Sequence, residues 1–173
     1  LRAFKSWTGQ TPAEFRDAVR ALADPARAKV LQNFFKTGPG EYGEGDRFHG
    51  LTVPQVRALV RHFHPAHFEV IARVVASPHH EERLLGLLLL VERYRKGTDP
   101  ERAAAHRLYL RSLPHINNWD LVDASAPYII GEHLRTRSRR LLDRLAVSDN
   151  LWDRRIAIVS TFALIKHGEI EDT

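Results

Sequence analysis

The chain of 173 residues predicts an all-α fold, a helix bundle or a solenoid of helix pairs, with the spacing of the pairs favouring a superhelical solenoid that has one concave, solvated face. Three observations lead there. Helix-start signals recur at short intervals. Thr11-Pro12-Ala13-Glu14 and Thr52-Val53-Pro54-Gln55 have the form of capping boxes, in which a threonine hydroxyl and the Glu or Gln three residues on satisfy orphan N–H groups. Asp24-Pro25, Ser77-Pro78 and Asp99-Pro100 set an N-cap residue before a first-turn proline. Behind each signal the apolar residues follow the helical period, as in Phe15, Val19 and Leu22 or Val53, Val56 and Val60. Almost nothing alternates as a strand would.

In order, the pattern predicts helices over 12–23, 25–37, 53–62, 66–76, 79–96, 100–112, 117–134, 138–147 and 150–166. Helix pairs recur at about 35 to 45 residues, the HEAT and armadillo range. Some helices carry both an apolar stripe and a basic edge, as a curved layer with one wet face requires. The length suits one domain, 1–173. The segment Thr37-Gly38-Pro39-Gly40-Glu41-Tyr42-Gly43-Glu44-Gly45-Asp46 breaks the rhythm. It lacks the Gly-Lys-Ser/Thr of a phosphate loop, and its three acids would repel an anion, so it reads as a structural loop.

Composition narrows the function classes. The absence of cysteine excludes disulfide scaffolds and thiolate zinc sites. The longest apolar run, Leu87–Val91 behind Leu84, Leu85 and Gly86, is less than half of the ~20 residues a membrane span needs, so no membrane partner is expected. Leu1-Arg2-Ala3-Phe4-Lys5 has no apolar stretch of the secretory kind, and a chain without methionine is expected to be processed or a fragment. The net charge of +5, with ten histidines in reserve, makes a nucleic-acid partner plausible.

Three constellations could carry chemistry. In Asn117-Asn118-Trp119-Asp120-Leu121-Val122-Asp123-Ala124-Ser125-Ala126-Pro127, Trp119 and Asp123 are four apart and share a helix face, whereas Asp120 points about 100° away. Pro127 has no N–H for the carbonyl of residue 123, so the helix should kink where Asp123 projects. The plainer reading makes Trp119 core and Asp123 a solvated or capping acid. In Ser148-Asp149-Asn150-Leu151-Trp152-Asp153-Arg154-Arg155, two arginines occupy a first helical turn, where the dipole disfavours cations. Arg137, Arg139 and Arg140 sit similarly at the start of the preceding helix. Such arginines suit backbone phosphates; the alternative is a solvated basic face paired with Asp143 or Asp153. Trp152, Ile156, Val159 and Ala163 form a stripe expected to be buried. His62, His64, His67, His79 and His80 are clustered, but no carboxylate or cysteine completes a ligand set nearby, and they read as helix-end and turn histidines. No metal site is expected. Nucleophile-elbow, His-Glu-x-x-His and dinucleotide fingerprints are missing.

Asn117–Asp123, Ser148–Trp152 with Arg155-Ile156-Ala157, and Gly38–Asp46 together resemble the DNA alkylation repair glycosylases of the AlkD type, in order and approximate spacing over most of the chain. The resemblance implies a solenoid of HEAT-like repeats that removes N3- and N7-alkylated purines, such as 3-methyladenine and 7-methylguanine, from duplex DNA as a base-excision repair hydrolase. By position it implies Trp119 and Asp123 as catalytic residues and Arg155 as a phosphate contact; the basic helix starts, read on their own, add Arg154, Arg139 and Arg140 as candidate phosphate ligands. It implies no cofactor, no metal and no base-flipping pocket, a monomer acting on double-stranded DNA, and a place in the bacterial cytoplasm and nucleoid. That family continues through further helices, so the chain is expected to be truncated at its C-terminus. A non-catalytic HEAT-type module that binds DNA or protein stays open beside the enzyme.

Overall fold

A computed structural model describes residues 10–170. The reading of Leu1–Lys5 falls outside them. Among the described residues the architecture is all-helical, and the only β feature is an isolated parallel bridge between Arg47 and His79. No helix there is long and apolar enough to cross a membrane. The chain divides into two compact units, one up to Leu90 and one from Val91.

The first unit holds α1 (Pro12–Ala21), α2 (Pro25–Phe34), α3 (Val53–Phe63), α4 (Phe68–Val75) and most of α5 (His80–Lys96). Both expected capping boxes form. Thr11 N–H donates to Glu14 Oε2 at 2.6 Å, and Thr52 N–H to Gln55 Oε1 at 2.8 Å. Asp24 caps α2 by accepting from Arg27 N–H at 3.0 Å. α1 packs on α3 and α4, with Phe15 stacked on Phe63 at 3.9 Å. The start of α5 corrects the sequence reading. It begins at His80, not behind a Ser77 cap, and Ser77 Oγ instead accepts from His79 N–H at 3.1 Å and donates to Glu82 at 2.6 Å.

The glycine-rich loop is structural, as expected, though its acids act differently from the expectation. Glu41 accepts from Gly38 N–H at 2.8 Å and Glu44 from Gly40 N–H at 2.9 Å, so the loop caps its own backbone. Asp46 is buried and bound by Arg83 at 2.7 Å. Glu81, also buried, accepts from three consecutive amides, His49, Gly50 and Leu51, at 2.9, 2.7 and 3.1 Å. These charge-assisted bonds pin the loop's exit to the first turn of α5. Gly50 at φ +88° is required there, because a Cβ would stand 2.1 Å from Asp24 O.

The second unit contains the end of α5, then α6 (Asp99–Arg111), a 3₁₀ turn (Leu113–His115), α7 (Trp119–Asp123), a π turn (Pro127–Gly131), α8 (Glu132–Leu134), α9 (Arg140–Ala146) and α10 (Leu151–Lys166). Thr98 rather than Asp99 precedes α6, and its N–H donates to Glu101 at 2.8 Å in a third capping box. The helix expected over 117–134 is three pieces: it stops at Asp123, turns, and resumes through a π turn that starts at Pro127. That interruption lies where the missing proline N–H and the ring clash require it. Leu121, Val122, Ile129, Ile130, Ile156 and Leu164 are fully buried and form the core here.

Candidate active site

α7 is a single turn, so what surrounds it holds its side chains in place. Asn118 caps it, accepting from Trp119 N–H at 2.8 Å, and is fully buried. Asp120 turns back onto the helix start and accepts from Leu121 N–H at 2.8 Å. Asp123 leaves from the last residue before the break, on the face it shares with half-buried Trp119. Behind the break, the Ser125 hydroxyl bonds the Leu121 carbonyl and meets Tyr109 Oη of α6 at 3.0 Å. Burial raises the Tyr109 phenol well above its ordinary value; the Ser125 bond opposes this and the Asp123 charge adds to it. The phenol is therefore a neutral strut under the kink.

The opposite wall is the start of α10. Asn150 caps it, accepting from Trp152 N–H at 2.8 Å, and the Ser148 hydroxyl donates to Asp153 at 2.8 Å. α10 packs against α7 and the π turn. Gly131 sets the closeness of that packing: a Cβ there would lie 2.3 Å from Ser160 O and 2.7 Å from Ala163 Cβ. With the backbones this close, Arg155 reaches Asp123. Its Nε donates to Oδ1 at 2.8 Å and its Nη2 to Oδ2 at 2.7 Å, a bidentate fork with both side chains 39% exposed. The bond to Asp123 raises the Arg155 pKa further; partial burial opposes this, and the carboxylate charge adds to the rise.

The structure thus joins Asp123 to Arg155, with Trp119 one helical turn before Asp123, and separates the other predicted residues by role. Arg154 donates to the Ser148 and Asp149 carbonyls at 2.7 and 2.9 Å, bracing the turn before its own helix. Arg139 pairs with Glu169, while Arg140 stands exposed at the start of α9. Of the expected stripe, Ile156, Val159 and Ala163 are buried and Trp152 is half-buried. The pairing of Arg155 with Asp123 was missed by the sequence reading. Its signal was faint, two opposite charges 32 residues apart on elements with no common period.

The histidine reading is also amended. His67 caps α4, accepting from Glu69 N–H at 3.5 Å, in keeping with a helix-end role. His79, however, does have a carboxylate beside it: Glu82, one turn on, together with His49 from the loop.

No curated protein matches the sequence. The family model described as DNA alkylation repair enzyme matches residues 15–173, a span that includes the Trp119–Asp123 turn, Arg155 and the glycine-rich loop. With nearly the whole chain matched, and an all-helical fold beneath it, the protein belongs to the DNA alkylation repair enzyme family.

Proposed function

We propose that the protein is a monofunctional alkylpurine DNA glycosylase. It hydrolyses the N-glycosidic bond of N3- or N7-alkylated purines in duplex DNA, as a cytoplasmic monomer without cofactor or base-flipping pocket, and its two units belong to one HEAT-like repeat domain. The observation that carries this reading is the half-exposed Asp123 carboxylate, at the end of a broken helix turn that begins with Trp119 and held by both donors of the Arg155 fork. Family membership supports a role in DNA repair.

The chemistry suits these residue types. An N3- or N7-alkylpurine already carries positive charge and leaves without being protonated, so the demand falls on the sugar, which becomes oxocarbenium-like. Asp123 supplies the opposite charge at that carbon and orients the attacking water. The indole face of Trp119 adds attraction of the cation–π kind. Arg155, with Arg140 and, less directly, Arg139 and Arg154, holds backbone phosphates and sets the register of the duplex without reading bases.

A second reading, a non-catalytic module for DNA or protein, is favoured by one observation: Arg155 engages both oxygens of Asp123. Single-turnover release of 7-methylguanine and 3-methyladenine from methylated duplex separates the two. The enzyme releases free base, and the module binds the duplex while leaving every lesion in place.

A further inference from the structure

A second constellation lies in the first unit. The Arg47–His79 bridge, closed by His80 N–H donating to Arg47 O at 2.8 Å, and the three amides that Glu81 holds fix the chain around His49 against the start of α5. Main-chain geometry therefore sets three donor residues close together, His49, His79 and Glu82, one ligand atom of each lying within 4.8 Å of the others. The Glu82 oxygens divide their partners. Oε2 takes the Ser77 hydroxyl at 2.6 Å and Arg16 Nε at 3.6 Å, while Oε1 faces the imidazoles, 3.0 Å from His49 and 3.9 Å from His79.

We propose that His49, His79 and Glu82 bind a divalent transition-metal ion of the zinc class. Three donors at about 2.1 Å from such an ion in a tetrahedron lie about 3.4 Å apart, and the two separations to Oε1, 3.0 and 3.9 Å, bracket that value. The rings stack with centroids 4.1 Å apart and planes 17° off parallel, so binding one ion requires them to turn out of the stack. Rotation about the terminal χ angle, a soft torsion for histidine, turns both onto one ion. Glu82 is 1% exposed and His79 23%, which leaves the fourth position open toward water. Ser77 is the outer partner that holds the carboxylate in its ligating orientation.

The charges around the cluster choose the class of ion. Arg20 and Arg47 act on His79, and Arg16 on Glu82, so a single carboxylate cannot hold a hard dication by charge alone. Two imidazoles and one oxygen suit zinc or cobalt and not magnesium or calcium, which need oxygen cages. The bound ion would staple the loop exit to α5.

The test uses the full chain, stripped with chelator, titrated with Co(II) by absorption and with Zn(II) by calorimetry. The expected result is one ion per chain, a four-coordinate Co(II) spectrum and a raised melting temperature. Ser77→Ala should weaken binding ~10- to 100-fold, and His79→Ala and His49→Ala should remove the spectrum while circular dichroism stays helical. His79→Ala decides the matter if His49→Ala does not fold, since the His79 ring is the more exposed of the two. Absence of stoichiometric binding to folded wild-type protein overturns the proposal. So does an unchanged Co(II) spectrum in His79→Ala, which would place the ion on other histidines.

Discussion

Asp123 is the residue on which the functional reading turns. Asp123→Asn keeps the shape and part of the hydrogen bonding but removes the charge, and excision should fall at least ~100-fold where electrostatic stabilisation has its usual weight. Its partner Arg155 is half-exposed, so the loss of the pair should cost no more than about 1 kcal/mol in a urea melt. Asp120→Asn is the control, because Asp120 is engaged with its own helix start. An equal loss in both would assign the effect to the turn and not to the acid. Arg155→Ala should weaken binding to every duplex alike and lower the slope of log affinity against log salt by about 1. A different residue governs acid stability. Burial, then His133, Arg137 and Arg107, lower the His106 pKa to about 4, and His133 is lowered as well, chiefly by burial. A histidine with a depressed folded pKa binds fewer protons folded than unfolded between about 4 and the ordinary 6.5. Stability should therefore fall as pH drops through that window, and His106→Gln should flatten the fall, as read by melting temperature against pH.

At the scale of elements, caps were legible in the sequence and contacts between elements were not. Thr11 with Glu14 and Thr52 with Gln55 are three residues apart, and local chemistry alone places them. The break after Asp123 was legible for the same reason, since Pro127 acts on a carbonyl four residues away. Ser77-Pro78 and Asp99-Pro100 misled, because Ser77 and Thr98 each had a better partner in Glu82 and Glu101 than the pattern assumed. The Asp123–Arg155 fork was hidden because it depends on how closely α10 approaches the π turn, and Gly131 determines that approach. Gly131→Ala should accordingly cost about 1 to 3 kcal/mol in urea unfolding, the usual penalty for overpacking. It should also loosen the fork, because the approach of α10 is what lets Arg155 reach Asp123. A neutral result would mean that α10 can slide away without loss.

For the whole molecule, helix-start signals and the lack of strand alternation foretold the absence of sheet, and short apolar runs the absence of a membrane-spanning helix, among the described residues; the net charge of +5 agrees with a polyanionic partner. What composition could not foretell is the division at Leu90, which falls inside α5 and not in a loop. Residues 80–91 of that helix are all buried, the mark of an element apolar or internally paired on every side. The division between the two units consequently coincides with no linker at which the chain could be cut. A polypeptide ending at Leu90 would expose a severed helix end with unsatisfied carbonyls and should lose more helical circular dichroism than the deleted residues account for. One beginning at Val91 would lack the turns before Tyr94. A natural shortening of such a chain, or a recombination with a relative, is best tolerated where a helix has already ended, and the middle of α5 is the place least open to it.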